Sequence, residues 1–292
     1  MIRKTGNLIY SPKYDLTDYT HVLSAEKYRL LYDELKYERW IWNEPTLIDE
    51  EDLLRVHTKK YLKDFLAARL TEKTKRAEIP IDNRIVEGVL AATQGTVLAA
   101  AIALKHGVAS NLSGGFHHSF ADHAEGFCYI NDVAVAIAAL RQENPKMKIA
   151  VIDLDVHQGN GTAVLLQKDE NTYTFSMHEK ENYPPKEQSS HDVELESHIG
   201  DGEYLKILKE NLAIVKEIIQ PEIIFYLAGV DVYKEDTLGG LSLTAEGIAE
   251  RDRCIKSFMP SVPIVTLTAG GYARNMKETV HLHAQTIRIF HD

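Results

Sequence analysis

The sequence has few cysteines and no excess of positive charge. The first shortage argues against a disulfide-rich protein, and the second argues against a nucleic-acid-binding protein. Two cysteines, Cys128 and Cys254, are too few for a disulfide framework, which favours a reducing compartment. The 33 basic residues are outnumbered by 43 acidic ones, which gives a formal net charge of −10. Because affinity for nucleic acid comes mainly from clustered Lys and Arg, we expect no direct nucleic-acid binding.

Long apolar runs are missing as well. The longest ones, such as residues 133–140, are too short to cross a bilayer, and residues 1–6 do not resemble a signal peptide. We therefore expect a cytoplasmic protein with no membrane span. No linker of biased composition and no internal repeat divides the 292 residues, which predicts one domain over 1–292.

Strand-like and helix-like segments alternate along the chain. Apolar runs predict strands at residues 8–10, 108–112, 148–154, 172–177, 222–228 and 263–268. Apolar residues three and four apart predict helices at 26–37, 50–70, 84–105, 131–141, 162–167, 204–219, 245–258 and 275–290. Residues 178–201 look irregular. This alternation is typical of a three-layer α/β/α sandwich with a mainly parallel central sheet.

Acidic residues and a histidine follow two of the predicted strands. Asp155 and His157 come after the strand at 148–154 and are two residues apart, which places them on one face of an extended chain. Asp231 follows the strand at 222–228, and the carboxyl ends of parallel strands meet at one edge. One imidazole and two carboxylates leave room for water and substrate, so the pattern indicates a catalytic metal site. Such a set suits Zn²⁺ and also accepts Fe²⁺ or Co²⁺.

Two adjacent histidines, His117 and His118, lie in a glycine-rich loop after the predicted strand at 108–112. A metal-dependent hydrolase needs one group to accept a proton from water and a group to protonate the leaving amine, and imidazole suits both tasks. Asp153 can orient one ring and Asn160 the other. A neutral amide raises the pKa of its partner less than a carboxylate does, so the two histidines should differ electrostatically.

Aromatic residues around these groups predict the shape of the pocket. Tyr272 follows a strand within an Ala-Gly-Gly-Tyr segment, where its phenol could donate a hydrogen bond to a developing oxyanion. Gly126 and Phe127 offer one wall of a narrow channel that suits an acylated lysine, and Tyr183 is a candidate for the opposite wall. Cys128 is interpreted as a buried structural thiol, because a metal triad makes a cysteine nucleophile unnecessary.

Five segments together resemble the zinc-dependent histone deacetylases in sequence, order and spacing. They read Ser-Gly-Gly-Phe-His-His at 113–118, Glu-Gly-Phe-Cys-Tyr-Ile-Asn-Asp at 125–132, Asp-Leu-Asp-Val-His-Gln-Gly-Asn-Gly at 153–161, Ala-Gly-Val-Asp at 228–231 and Ala-Gly-Gly-Tyr at 269–272. The resemblance covers nearly the whole chain and implies the arginase-deacetylase fold. It also implies zinc on Asp155, His157 and Asp231, proton transfer by His117 and His118, and Tyr272 as electrophilic partner.

The resemblance extends to a second ion and to a subclass. Family members bind potassium near the strand ends, which implies a K⁺ site here from the set Asp153, Ser176 and the carbonyl groups of Asp155, His157 and Met177. The segments 153–161 and 10–14 look like class IV, whose members are associated with removing long fatty acyl groups as well as acetyl groups. We assign no residue of the sequence to the acidic rim position by which class I members hold the substrate backbone.

The sequence thus predicts an enzyme that hydrolyses acyl groups from lysine in a protein or peptide. A small-molecule amidohydrolase that acts on acetylpolyamines or related acylated amines is an alternative, because specificity is set in loops. A non-catalytic acyl-lysine binding module is a second alternative, although all metal ligands and the tyrosine are present. The single metal triad argues against an arginase-like enzyme with two metals.

Overall fold

Eight strands form one sheet at the centre of the protein. The computed structural model describes residues 6–15 and 25–292. The strands are β1 Gly6–Ile9, β2 Trp40–Asn43, β3 Val108–Asn111, β4 Ile149–Asp153, β5 Thr172–Glu179, β6 His191–Leu195, β7 Ile223–Leu227 and β8 Ile264–Leu267. Their order across the sheet is β2-β1-β3-β8-β7-β4-β5-β6, and all neighbouring strands in it are parallel. The predicted parallel sheet is confirmed.

Helices cover both faces of the sheet. In the described residues they are α1 Glu26–Leu35, α2 Glu50–Leu53, α3 Lys59–Leu66, α4 Asn83–His106, α5 Asp132–Glu143, α6 Asn160–Leu166, α7 Asp201–Ile218, α8 Ala245–Phe258 and α9 Met276–His291. On one face α4 packs on α5, which also contacts α2 and α6. On the other face α8 packs between α7 and α9, and α9 contacts α1. These contacts form the three-layer α/β/α sandwich that the sequence predicts.

The middle strands are buried on both faces, which explains why they read as unbroken apolar runs. Along β4, Ile149 and Val151 belong to the core shared with α4 and α5, whereas Ala150 and Ile152 belong to the core beneath α7 and α8. Alternate residues of a strand point to opposite faces, so both cores require apolar side chains from the same strand. This double burial fixes the register of β4 and therefore the position of the loop that follows it.

The long helix α4 begins where Asp82 accepts a hydrogen bond from the amide of Ile85, and it ends at Gly107 in a left-handed conformation (φ 93°). Among the described residues α4 has the length and hydropathy to cross a bilayer, and 67% of its most apolar window is buried inside the protein. Burial against α5 and the sheet accounts for this apolar composition.

Three details differ from the sequence prediction. The predicted helix at 50–70 is two helices, because the intervening residues bind a loop instead: Thr58 N donates to Ala121 O (2.7 Å), and His57 Nδ1 lies 2.9 Å from Phe120 O. The edge strands β2 and β6 were not predicted. Each pairs on one side only, so its sequence lacks the long apolar run of a central strand. Residues 178–201, predicted as irregular, therefore contain β6 and part of β5.

The carboxyl ends of β3, β8, β7, β4 and β5 lie side by side at one edge of the sheet. The histidine pair follows β3, Tyr272 follows β8, and Asp231 follows β7. Residues 155–160 follow β4, and Tyr183 follows β5. The topology thus gathers onto one edge candidate residues that are up to 155 positions apart in the sequence, from His117 to Tyr272.

Candidate active site

Two carboxylates and an imidazole meet at the carboxyl edge of β4 and β7. One ligand atom each of Asp155, His157 and Asp231 lies within 4.8 Å of the others, and all three residues are buried. Asp155 and His157 lie in the loop just beyond β4. The sequence instead predicts that they belong to an extended chain. Backbone amides hold the carboxylates: Gly270 N donates to Asp155 Oδ2 (2.7 Å) and Val156 N to Asp231 Oδ1 (2.9 Å).

The close approach of the β8 loop requires glycine. A Cβ atom at Gly270 would lie 1.9 Å from Asp231 Oδ2 and 2.5 Å from Asp155 Oδ2. Any side chain at this position would displace the carboxylates, so the loop can bring its amide to Asp155 only without a Cβ. This explains the first glycine of the Ala-Gly-Gly-Tyr segment, Gly270.

The charges of this cluster fit a divalent cation. Asp231 Oδ2 is buried and has no hydrogen-bond partner among the described residues, although it lies 3.3 Å from His157 Nδ1. Burial and the neighbouring charge of Asp155 raise the pKa of Asp231 to about 7. Burial would lower the pKa of His157, but the two carboxylates raise it to about 10. A proton on His157 thus partly neutralises the two acids, and a metal ion would do so more completely with the same three ligands.

His117 is held by a carboxylate. Its Nδ1 lies 2.7 Å from Asp153 Oδ2, at the end of β4. Burial alone would lower the pKa of His117, but the charges of Asp153 and Asp155 raise it to about 9. The carboxylate partner thus favours the cationic form of the ring.

His118 is held by an amide. Its Nδ1 lies 2.8 Å from Asn160 Oδ1, and its Nε2 lies 3.1 Å from Nε2 of His117. Burial, followed by the charges of His117 and His157, lowers the pKa of His118 well below its usual value. The structure thus pairs each predicted orienting residue with its own histidine, a carboxylate with His117 and a neutral amide with His118.

Tyr272 faces the cluster from the loop after β8. Its backbone N donates to Asp236 Oδ2 (2.6 Å), which fixes this loop. Burial and the charges of Asp155 and Asp231 raise the pKa of the phenol well above 10, so it keeps its proton and can donate a hydrogen bond. Lys27 lies behind the ring, with Nζ 5.2 Å from the ring centroid.

Lys27 was not singled out in the sequence. Its side chain is buried, and Nζ donates to Ala269 O at 2.9 Å. Burial lowers the pKa of this amine to about 8, against the attraction of Asp231 and Asp155. Ala269 has a left-handed backbone (φ 53°), an unfavourable conformation for a residue with a Cβ atom. The hydrogen bond to Lys27 helps to hold the Ala-Gly-Gly-Tyr segment in this shape.

A cavity of about 280 Å³ leads to these groups. Gly126, Phe127 and Tyr183 line it, and the centroid of the Tyr183 ring lies 5.3 Å from that of the His118 ring. The Phe127 ring contacts that of Tyr272 at 5.9 Å. Gly126 (φ 47°) and Phe127 (φ 65°) both have left-handed backbones, and this turn aims the phenylalanine into the channel.

Two polar residues at the channel were missed in the sequence. Glu78 lines the cavity, is exposed, and ends the short 3-10 helix Lys75–Ala77 with a left-handed backbone (φ 60°). Asn182 also lines it and is fixed by its side-chain NH₂, which donates to Glu179 Oε2 (2.7 Å) and Leu238 O (2.9 Å). Neither residue belongs to a local pattern, and only the fold brings them beside the histidines. Cys128 also lines the cavity, where burial raises the pKa of its thiol.

The residues predicted to bind potassium lie on β4 (Asp153), on β5 (Ser176 and Met177) and in the loop after β4 (Asp155 and His157). Asp153 pairs in register with Ser176, and Ser176 Oγ lies 2.9 Å from His178 Nδ1. The K⁺ site itself stays a prediction.

Known proteins resemble this chain in sequence over nearly its whole length. Residues 21–287 match the family model described as histone deacetylase domain. An uncharacterized protein of Picosynechococcus sp. is 36% identical over 280 residues, which cover 93% of each chain. Histone deacetylase 2 of Arabidopsis thaliana is 32% identical over 302 residues, which cover 96% of this chain and 77% of the relative.

Two solved structures have the same fold. An HDAC homolog from Aquifex aeolicus superposes with a TM-score of 0.83 at 25% identity, over 98% of this chain and 84% of the homolog. A structure of an HDAC homolog complexed with SAHA gives the same values.

Proposed function

Since this chain belongs to the histone deacetylase family, we propose that it uses a bound metal ion and water to remove acyl groups from the side-chain amine of lysine. The observation that carries the proposal is the pair of imidazoles beside the Asp-His-Asp cluster, one held by the carboxylate of Asp153 and the other by the amide of Asn160. Hydrolysis of an amide needs both a proton acceptor and a proton donor, and the two rings supply one of each.

Asp155, His157 and Asp231 would hold the metal, which we propose to be zinc, although Fe²⁺ and Co²⁺ accept the same donor set. When bound, the ion would polarise the amide carbonyl and lower the pKa of water. The unpartnered oxygen of Asp231 and the raised pKa of its carboxyl support a cation at this point.

The remaining chemistry is done by three side chains. His118, neutral and held through Nδ1, accepts the proton of the attacking water at Nε2. Tyr272 donates a hydrogen bond to the oxyanion that forms from the carbonyl oxygen. As the carbon–nitrogen bond breaks, the amine takes a proton from His118 or His117, which gives a carboxylate and a free lysine.

The cavity fits the lysine side chain. Phe127 and Tyr183 supply aromatic walls for its methylene groups, while the reacting carbonyl reaches the buried cluster. Glu78 at the channel would accept hydrogen bonds from the backbone amides of a peptide, which is the acidic role that the sequence left unassigned. We propose acetyl and longer fatty acyl groups as the substrates of this site.

Steady-state kinetics of the variant E78A distinguish a peptide substrate from a small acylated amine. If a peptide backbone is held at the channel, E78A raises KM for an acetyl-lysine peptide and leaves hydrolysis of free Nε-acetyl-lysine amide unchanged. Glu72 lies in the same loop and does not line the cavity, so E72A serves as the matched control. Faster turnover of acetylspermidine than of any peptide, unaffected by E78A, would favour the small-amine hydrolase instead.

A further inference from the structure

The turn that carries Phe127 also places a carboxylate behind the histidine pair. Glu125 N donates to Cys128 O (3.0 Å) and Cys128 N to Glu125 O (2.8 Å), which closes a tight turn around two residues with positive φ. The Glu125 residue is only 8% exposed. A buried carboxylate is costly unless it is paired, so its partners indicate its role.

Glu125 connects the channel rim with Asn160. Its Oε1 accepts a hydrogen bond from Asn160 Nδ2 at 2.8 Å. Its Oε2 pairs with Arg76, which is half-exposed, and lies 3.7 Å from His123 Nε2. The mechanism described above does not use this carboxylate, although only one amide separates it from His118.

The orientation of that amide decides which nitrogen of His118 carries the proton. With Oδ1 of Asn160 toward the ring, His118 Nδ1–H donates and Nε2 carries the lone pair, 3.1 Å from Nε2 of His117. If the amide were reversed, its NH₂ group would face Nδ1 and favour the tautomer with the proton on Nε2, which cannot accept a proton from water. The amide of Gly161 also donates to Asn160 Oδ1 (2.9 Å) and favours the same orientation.

We propose that Glu125 is a positioning residue, which fixes the Asn160 amide and so holds His118 in the tautomer that accepts the proton of water. The inference rests on the proposed function and deepens it. Asp153 touches His117 directly, whereas Glu125 acts on His118 through an uncharged group. This arrangement orients His118 without placing a negative charge against its ring.

Two variants separate the hydrogen bond from the charge. E125L removes the acceptor and should lower kcat at least about tenfold, the range usual for outer partners of a catalytic group, with KM and metal content unchanged. E125Q keeps an acceptor oxygen for Asn160 and should retain most of the activity. Asp122, three residues away, bonds Lys73 and His123 instead, so D122N is the control that should match the wild type.

A charge exchange across the same hydrogen bond tests the pairing directly. N160D alone places two carboxylates face to face at the 2.8 Å contact and should lose more activity than E125L. Combining N160D with E125Q restores a donor and an acceptor, so the double variant should be more active than N160D. Additive effects of the two changes would contradict the proposal.

The tautomer can be read without turnover. In ¹⁵N–¹H correlation spectra of the histidine rings, His118 should carry its proton on Nδ1 in the wild type and show a mixture of tautomers in E125L. Unchanged kcat and an unchanged tautomer in E125L would overturn the role of Glu125 alone. A tautomer shift in E125L, with no acyl-lysine hydrolysis by the metal-loaded wild type, would overturn the proposed function and leave the positioning role intact.

Discussion

Replacing Tyr272 by phenylalanine should lower kcat by about 10² to 10³, because one donor to an oxyanion contributes about 2.7–4 kcal/mol to the barrier. The hydroxyl keeps its proton throughout the working pH range, since burial and the charges of Asp155 and Asp231 raise its pKa well above 10. The hydrogen bond it donates strengthens as charge develops on the substrate oxygen. The loss should therefore appear in kcat rather than in KM.

The fold and the metal site should survive this change. The hydrogen bonds that tie Tyr272 to the described part of the chain involve its backbone, as in Tyr272 N to Asp236 Oδ2 (2.6 Å) and Thr237 Oγ1 to Tyr272 O (2.8 Å). The aromatic contact with Phe127 remains in Y272F. We expect the same metal content and a change of less than about 1 kcal/mol in the free energy of unfolding.

The assay is steady-state hydrolysis of an acetyl-lysine peptide, together with metal analysis and urea unfolding of each variant. Tyr173 lies at the amino end of β5, away from the site, so Y173F is the matched control and should keep the wild-type kcat. Equal kcat in Y272F and wild type, with both fully metal-loaded, would refute the assigned role.

Three further predictions concern pH, metal affinity and stability. Burial and the neighbouring imidazole charges lower the pKa of His118, so this base stays neutral at working pH. The midpoint of the acid limb in a plot of kcat against pH should therefore lie below pH 6.5. Because burial and a neighbouring carboxylate raise the pKa of Asp231 to about 7, metal affinity measured by chelator competition should increase as pH rises through that value, and it should keep increasing toward pH 10 as His157 also loses its proton. Arg251 is fully buried against Asp252. Its replacement by methionine should lower the free energy of unfolding by about 3–5 kcal/mol, because Asp252 would be left as an unpaired buried charge. The exposed neighbour Arg253 provides the control, and R253M should cost less than about 1 kcal/mol.

Each of these predictions has a contradicting result. An acid limb at or above pH 6.5 would mean that His118 is not the neutral base. Metal affinity that is equal at pH 6 and pH 8 would show that no ligand releases a proton on binding. Equal unfolding free energies for R251M and R253M in urea titrations would show that the buried ion pair is not needed to compensate Asp252.

The parts of the fold that the sequence predicted are those governed by local rules. β4 and β7 could be located because burial on both faces demands an unbroken apolar run, and the site residues follow them directly. The edge strands β2 and β6 escaped prediction because only one side of each is paired. Their short, partly polar sequences therefore resemble loops.

The candidate site could be predicted where its residues share a motif and not where the fold alone unites them. Asp153 and Asn160 stand in one segment with two of the proposed metal ligands, and their proximity to the histidines follows from the parallel sheet. Glu125 is 35 residues from Asn160, and no spacing rule relates a turn residue to a helix start that far away. Glu78 reaches the channel from the end of a 3-10 helix for the same reason.

Turnover of lysine peptides with acetyl, octanoyl and myristoyl groups, measured with and without a chelator, tests metal-dependent removal of acyl groups from lysine. We expect the zinc-loaded protein to release free lysine side chains and to lose this activity on chelation, with the order of rates giving the preferred acyl length. Absence of turnover for every peptide by zinc-loaded protein, or turnover that persists after the metal is removed, would contradict this expectation.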